Sequence, residues 1–132
     1  MNALIRAVLN RVLGQKGETH AASFLRKKGF RILARGYRTH QGELDLIARD
    51  GDTVVFVEVK ARRHGQPAEA VTPEKQRRLT LAALHFLHRH KLLEQRCRFD
   101  VVTVLWPNEQ REPTIEHIVG AFEAVGRGQM FR

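Results

Sequence analysis

Gly42-Glu43-Leu44-Asp45-Leu46-Ile47-Ala48-Arg49-Asp50-Gly51-Asp52-Thr53-Val54-Val55-Phe56-Val57-Glu58-Val59-Lys60-Ala61-Arg62-Arg63 is the stretch that decides the fold. It reads as two strands joined by a two-residue turn, at Asp50-Gly51 or Gly51-Asp52, where Gly and Asp tolerate the positive φ of a tight hairpin loop. Val54 to Val59 is rich in β-branched and aromatic residues, which suit a pleated strand. Side chains two apart share a sheet face, so Glu58 and Lys60 point the same way. Either turn brings Asp45 to that face, directly opposite Glu58 or one pair away. Two carboxylates and an ammonium on one face are costly as core and useful as chemistry.

The chemistry they suit is metal-assisted phosphodiester hydrolysis. One or two carboxylates, with waters and substrate phosphate oxygens, make a typical Mg²⁺ site. The metal polarises the phosphoryl group and lowers the pKa of a bound water, and a nearby Lys can orient that water or offset developing charge. The same residues also fit an amphipathic strand with an ordinary cross-strand salt bridge. At this point both readings stand.

Working outward, residues 1–13 form a short basic amphipathic segment, with Leu4, Ala7, Val8 and Val12 at helical spacing. It lacks the uninterrupted apolar run of a secretory signal and is expected to be an extra helix packed on the domain, or else a partner- or phosphate-contacting arm. A first firm helix is expected from about Gln15 to Lys28, closed by Gly29. Ala21, Ala22 and Leu25 share a stripe with Glu18, which either complements the helix dipole from the first turn or points inward to join Asp45 and Glu58. Strands are expected over 31–38, 42–49, 53–61 and 99–105, with a short one near 114–119. His64-Gly65-Gln66-Pro67 reads as a loop. Thr72 caps a second long helix with Pro73 at its first position, and Leu79, Ala82, Ala83, Phe86 and Leu87 form its buried stripe. His85, His88 and His90 lack the spacing and accompanying Glu of a helical zinc site and read as basic surface. Asp100 is expected to bond a backbone N–H or a Lys.

The 132 residues suffice for one domain, placed at 14–120 between the N-terminal segment and a basic tail at 121–132. Twenty-three basic against 14 acidic residues leave a formal charge of +9, which favours polyanions, nucleic acid foremost. Arg35, Arg38, Arg62 and Arg63 are the candidate phosphate contacts. The lone Cys97 excludes an internal disulfide and a Cys-based zinc cluster, which fits a cytoplasmic protein. No stretch approaches the ~18 apolar residues of a membrane span.

Asp45, twelve residues, then Glu58-Val59-Lys60 resembles the core of the PD-(D/E)xK nuclease superfamily. The wider string resembles the YraN family, a bacterial group related to Holliday-junction resolvases. The matching elements are Gly14-x-x-Gly17-Glu18 opening a helix, Gly42 to Ile47, Val55 to Lys60, Ala70-Val71-Thr72-Pro73-x-Lys75-Gln76 and Phe99 to Val102. They cover residues 14–118 or so in the family's order. Many superfamily members carry Pro before the first acid, where this chain has Leu44; that Pro is no ligand, so the chemistry stays open.

The resemblance implies a metal site of Asp45, Glu58 and Glu18 taking Mg²⁺ or Mn²⁺, with Lys60 assisting the attacking water and Gln76 orienting Lys60 or that water. It implies a nuclease acting on DNA, branched or damaged DNA included, and leaves room for a homodimer. The element order α-β-β-β-α-β-β gives an α/β fold, a mixed sheet flanked by helices. Its first three strands form an antiparallel meander, and the fourth lies parallel to the strand carrying Glu58 and Lys60. That is the restriction-endonuclease-like core. Two other readings remain: a non-catalytic basic nucleic-acid-binding module, and an interaction protein docking through residues 1–13.

Overall fold

The computed structural model describes residues 2–66, 68, 70–107 and 112–124. The elements run α1 (Ala3–Lys27), β1 (Arg31–Thr39), β2 (Gly42–Asp50), β3 (Thr53–Arg63), α2 (Pro73–Arg89), β4 (Arg96–Trp106) and β5 (Thr114–Phe122). This is the expected α/β order. The five strands lie in one sheet in chain order. β1–β2 and β2–β3 pair antiparallel, β3–β4 parallel through the α2 crossover, and β4–β5 antiparallel. The hairpin loop is Gly51-Asp52, flanked by the Asp50–Thr53 pair, with Gly51 at a φ of +60°. Of the expected loop, 64–66 form a turn and Pro67 lies outside the described residues. So does most of the expected tail, 125–132, whereas 121–122 finish β5.

Strand alternation divides the core between the two sheet faces. Leu46, Ala48, Val55 and Val57 pack with Ala21, Ala22 and Leu25 of α1. Ile47, Val54 and Phe56 pack with Leu79, Ala82, Ala83, Phe86 and Leu87 of α2. One helix therefore covers each face, and the β2–β3 hairpin is buried on both sides.

α1 corrects the expected boundary at residue 14. Asn2 caps it through a bond from the Ile5 N–H (2.8 Å), and it runs unbroken to Lys27 through Gly14 and Gly17. Its far end closes as expected at Gly29: the Gly29 N–H donates to Arg26 O (2.9 Å) and the Phe30 N–H to Leu25 O (3.0 Å). Residues 3–12 are not packed on the domain. Leu4, Ile5, Val8, Leu9 and Val12 are all exposed, Leu4 by 74%.

Gly17 is in the helix because nothing larger fits. A Cβ there would lie 2.6 Å from Ala61 Cβ of β3, with Val59 Cγ1 at 3.6 Å. The two glycines that look like a helix boundary in the sequence are interior, one of them at the closest approach of helix to sheet.

β5 is fastened by Asp100, whose side chain is fully buried. Its Oδ1 accepts from the Gly120 N–H and Arg98 Nε, both at 2.9 Å, and its Oδ2 lies 2.7 Å from His117 Nε2. Lys28 Nζ lies 2.8 Å from His117 Nδ1. A lysine ammonium can only donate, so Nδ1 is the acceptor and the proton sits on Nε2, facing Asp100. The backbone bond matches expectation; the side-chain partners are Arg98 and His117 rather than a Lys.

Gly17→Ala tests the helix–sheet approach. Helix propensity alone favours Ala by roughly 1 kcal/mol, but a 2.6 Å contact must be relieved. Overpacking of this kind costs about 1–3 kcal/mol, so urea denaturation should show net destabilisation. Ala61→Gly in the same chain should recover part of it; a more stable Gly17→Ala protein would refute the close packing.

Candidate active site

The β2–β3 ladder pairs Asp50 with Thr53 through to Leu46 with Val57. One step further, the side chain of Asp45 takes over from the backbone: its Oδ2 accepts the Val59 N–H at 2.8 Å. This turns the Asp45 carboxyl onto Glu58, with which it shares a hydrogen bond. Glu58 is only 4% exposed, and its Oε2 lies 2.6 Å from Lys75 Nζ on the first turn of α2. That is an ion contact without hydrogen-bond alignment, so no donor is aimed at the Oε2 lone pairs. Lys60, two residues along β3 and on the same face, adds a second positive charge beside Glu58.

These groups line a cleft of about 570 Å³ at the C-terminal end of β3. Glu18, Leu13 and Gly14 form its α1 wall, Arg62 lies at its floor strand, and Thr103 of β4 and Glu116 of β5 close the far side. A second groove adjoins it across Gly14 and Glu18, lined by Arg11, Arg35, Arg38 and Glu43.

Electrostatics make the acid pair a proton trap. Burial, then the hydrogen bond and charge of Glu58, push the Asp45 pKa up to about 9. Glu58 moves the other way: burial opposes its ionisation, but the hydrogen bond with Asp45 and the charges of Lys75 and Lys60 outweigh it. The opposite directions favour the proton on Asp45 and the negative charge on Glu58, beside Lys75 and Lys60. Burial raises the Glu18 pKa as well, with Arg35 opposing and Glu43 and Glu58 reinforcing.

Asp45, Glu58 and Lys60 are thus brought together as the alternation predicts. Glu18 stands on the wall of the same cleft. It is mid-helix, since α1 starts at Ala3 and has no acid in its first turn, so the dipole explanation falls. Arg62 lines the cleft, its Nη1 donating to Gln66 O (2.8 Å). Arg63 is exposed just outside, and Gln66 Oε1 holds its backbone N–H (2.6 Å). Arg35 and Arg38 belong to the adjoining groove, where Arg35 donates to Thr19 Oγ1 (3.0 Å) and Arg38 lies 3.5 Å from Glu43. Gln76 is not a cleft residue: its Nε2 donates to Val71 O (2.8 Å) and braces the start of α2. Its neighbour Lys75 occupies the place expected of it. Lys75 is the residue the sequence reading missed; the Thr72 cap, which fixes where α2 begins, was the available signal.

The donors suit a hard divalent cation. Two carboxylates converge, and one buried oxygen, Glu58 Oε2, has no hydrogen bond of its own. Among the described residues no three His, Cys, Asp or Glu side chains form a preformed cluster. Mg²⁺ needs none, because it keeps several waters and takes one or two carboxylates plus substrate phosphate oxygens.

The pH dependence of stability follows. A carboxyl whose folded pKa is raised favours the fold at low pH. That contribution is lost as pH climbs from the ordinary value of 3.8 through about 9. Glu58 has the opposite sign: its contribution is present above the ordinary value of 4.5 and is lost as pH falls below it, through the lowered folded pKa. Asp45→Asn imitates the protonated acid, able to accept from Val59 and donate to Glu58. Its melting temperature without metal should equal or exceed wild type near pH 6, and the excess should widen toward pH 9. Uniform destabilisation across that range would contradict the shared proton.

The comparisons with known proteins agree with one another. The model of the family described as "Uncharacterised protein family UPF0102" matches residues 17–104, which span α1 from Gly17, the acid pair, Lys60, Lys75 and most of β4. A UPF0102 protein of Geobacter sulfurreducens is 49% identical over 119 residues, covering 86% of this chain and 91% of the relative. One from Rhodopirellula baltica is 48% identical over 123 residues, covering 89% and 74%. One from Syntrophus aciditrophicus is 47% identical over 129 residues, covering 94% and 99%. With a matching family model and relatives aligned over nearly their whole length, the chain belongs to the UPF0102 family, the group to which the YraN resemblance pointed.

Proposed function

We propose that this protein is a metal-dependent nuclease of the PD-(D/E)xK type that hydrolyses phosphodiester bonds in DNA. The observation that carries the reading is the pairing of half-buried Asp45 with buried Glu58, flanked by Lys60 and Lys75 and opening into a cleft. A purely structural pair has little reason to keep two carboxylates together where burial forces one to hold a proton.

Asp45 and Glu58 would hold Mg²⁺ or Mn²⁺, with Glu18 on the cleft wall as the third acid. When bound, that ion supplies Lewis-acid polarisation of the phosphoryl group and a water of lowered pKa. Lys60 orients the attacking water or offsets the charge that grows on the phosphoryl oxygens. Asp45 is held in place by the Val59 N–H, so its orientation does not depend on the ion. Arg62 meets a phosphate entering the cleft, and Arg35 and Arg38 meet the backbone where it runs on along the adjoining groove. The +9 charge draws the polyanion in without reading its sequence.

Purified protein incubated with duplex, branched and single-stranded DNA and with RNA, with and without Mg²⁺ or Mn²⁺, tests this directly. Cleavage should require metal, and Asp45→Asn and Lys60→Ala should each lower it by on the order of 100-fold or more. Wild-type cleavage retained by Asp45→Asn would end the assignment, and metal-independent binding without cleavage would favour the non-catalytic module.

Affinity should also fall with salt at a slope of about −0.9 per neutralised phosphate on double-stranded DNA. Arg62→Ala should flatten that slope by about 1 while lowering affinity across unrelated sequences. A flat wild-type response would point to a protein partner instead.

A further inference from the structure

Lys75 stands at the third position of α2, where a cation is at the wrong end of the helix dipole. Its backbone is nevertheless fixed there. The Lys75 N–H donates to Thr72 Oγ1 (3.2 Å), and Gln76 Nε2 ties the same turn to Val71 O. The side chain is half-buried and reaches into the cleft, placing Nζ 2.6 Å from a carboxylate oxygen that is otherwise without a hydrogen bond. That oxygen, Glu58 Oε2, is the one best suited to a metal. An ammonium and a divalent ion cannot share it at contact distance without strong repulsion.

We propose that Lys75 is the resident counter-ion of the acid pair: its ammonium occupies Glu58 while the metal site is empty, yields that oxygen to the incoming divalent ion, and turns to a phosphate of the bound nucleic acid. This rests on the nuclease reading above. A lysine suits the task, because its compact charge rides on a flexible four-carbon stem and can relocate while α2 stays put. Lys60 stays beside the acids on the rigid strand; among the described residues lining the cleft, Lys75 is the one that α2 contributes. Exchanging it for the ion replaces one positive charge at the acid pair with two and directs an ammonium toward the cleft, so metal and nucleic acid each favour the other's binding.

The test measures metal affinity, not turnover. Mn²⁺ is titrated calorimetrically into wild type, Lys75→Met and Lys75→Arg, alone and with a short phosphorothioate DNA duplex that resists cleavage. Lys75→Met keeps most of the stem and removes the charge, and its thermal unfolding is followed alongside to verify the fold. Without DNA, Lys75→Met should bind Mn²⁺ more tightly than wild type, by on the order of tenfold, because the competing charge is gone. The tightening of Mn²⁺ binding that DNA produces in wild type should shrink in Lys75→Met. Lys75→Arg, which keeps a cation, should restore the weaker Mn²⁺ affinity. Equal or weaker Mn²⁺ binding by a folded Lys75→Met, with wild-type binding intact, overturns this inference and leaves the nuclease reading standing. No Mn²⁺ binding by wild type or either variant overturns the nuclease reading and this inference with it.

Discussion

The Asp45 carboxylate accepting the Val59 N–H at 2.8 Å is the contact on which the cleft depends. In a regular antiparallel pair a backbone carbonyl would take that bond. Here a side chain takes it just past the Leu46–Val57 pair, so the strands part without leaving the amide unsatisfied. The same carboxyl also shares a hydrogen bond with Glu58. A local exchange of one acceptor for another thus turns the end of a hairpin into a pocket with two acids.

The rest of the molecule holds that arrangement still. Valines, leucines and phenylalanines bury the hairpin on both faces up to Val57, so the strands cannot slip without moving the whole hydrophobic set. α1 presses onto β3 at Gly17 and Ala61, close enough to bring Glu18 to the cleft wall. α2 delivers Lys75 from the opposite face. Three elements with separate packing partners meet at one point, and the surrounding core positions them more precisely than loops could.

Charge balance explains why such a site survives folding. Two carboxylates in contact at the cleft, one of them buried, would repel if both were ionised. The shared proton removes one charge, and Lys75 and Lys60 offset the other. The charge of the pair is offset within the protein itself, and Glu58 Oε2 is left without a hydrogen bond. The price is a pH-dependent fold.

Much of this is legible in the chain itself. Period-two alternation from Val54 to Lys60, with a glycine turn, puts Asp45, Glu58 and Lys60 on one face before any contact is known. Gly29 closes the first helix and Thr72-Pro73 opens the second, because capping is chemistry between neighbours in sequence. What tertiary structure alone decided involves partners distant in sequence. Gly17 looks like a helix boundary until Ala61 lies against it, since steric need outweighs propensity only once the strand is in place. Gln76 and Lys75 are adjacent, and which of them enters the cleft depends on the angle at which α2 docks on the sheet. The Asp100–His117 pair requires β5 to lie beside β4. Local hydrogen bonding and strand period can be read from the sequence, whereas rotation of a helix about its axis is set by the surface it packs on.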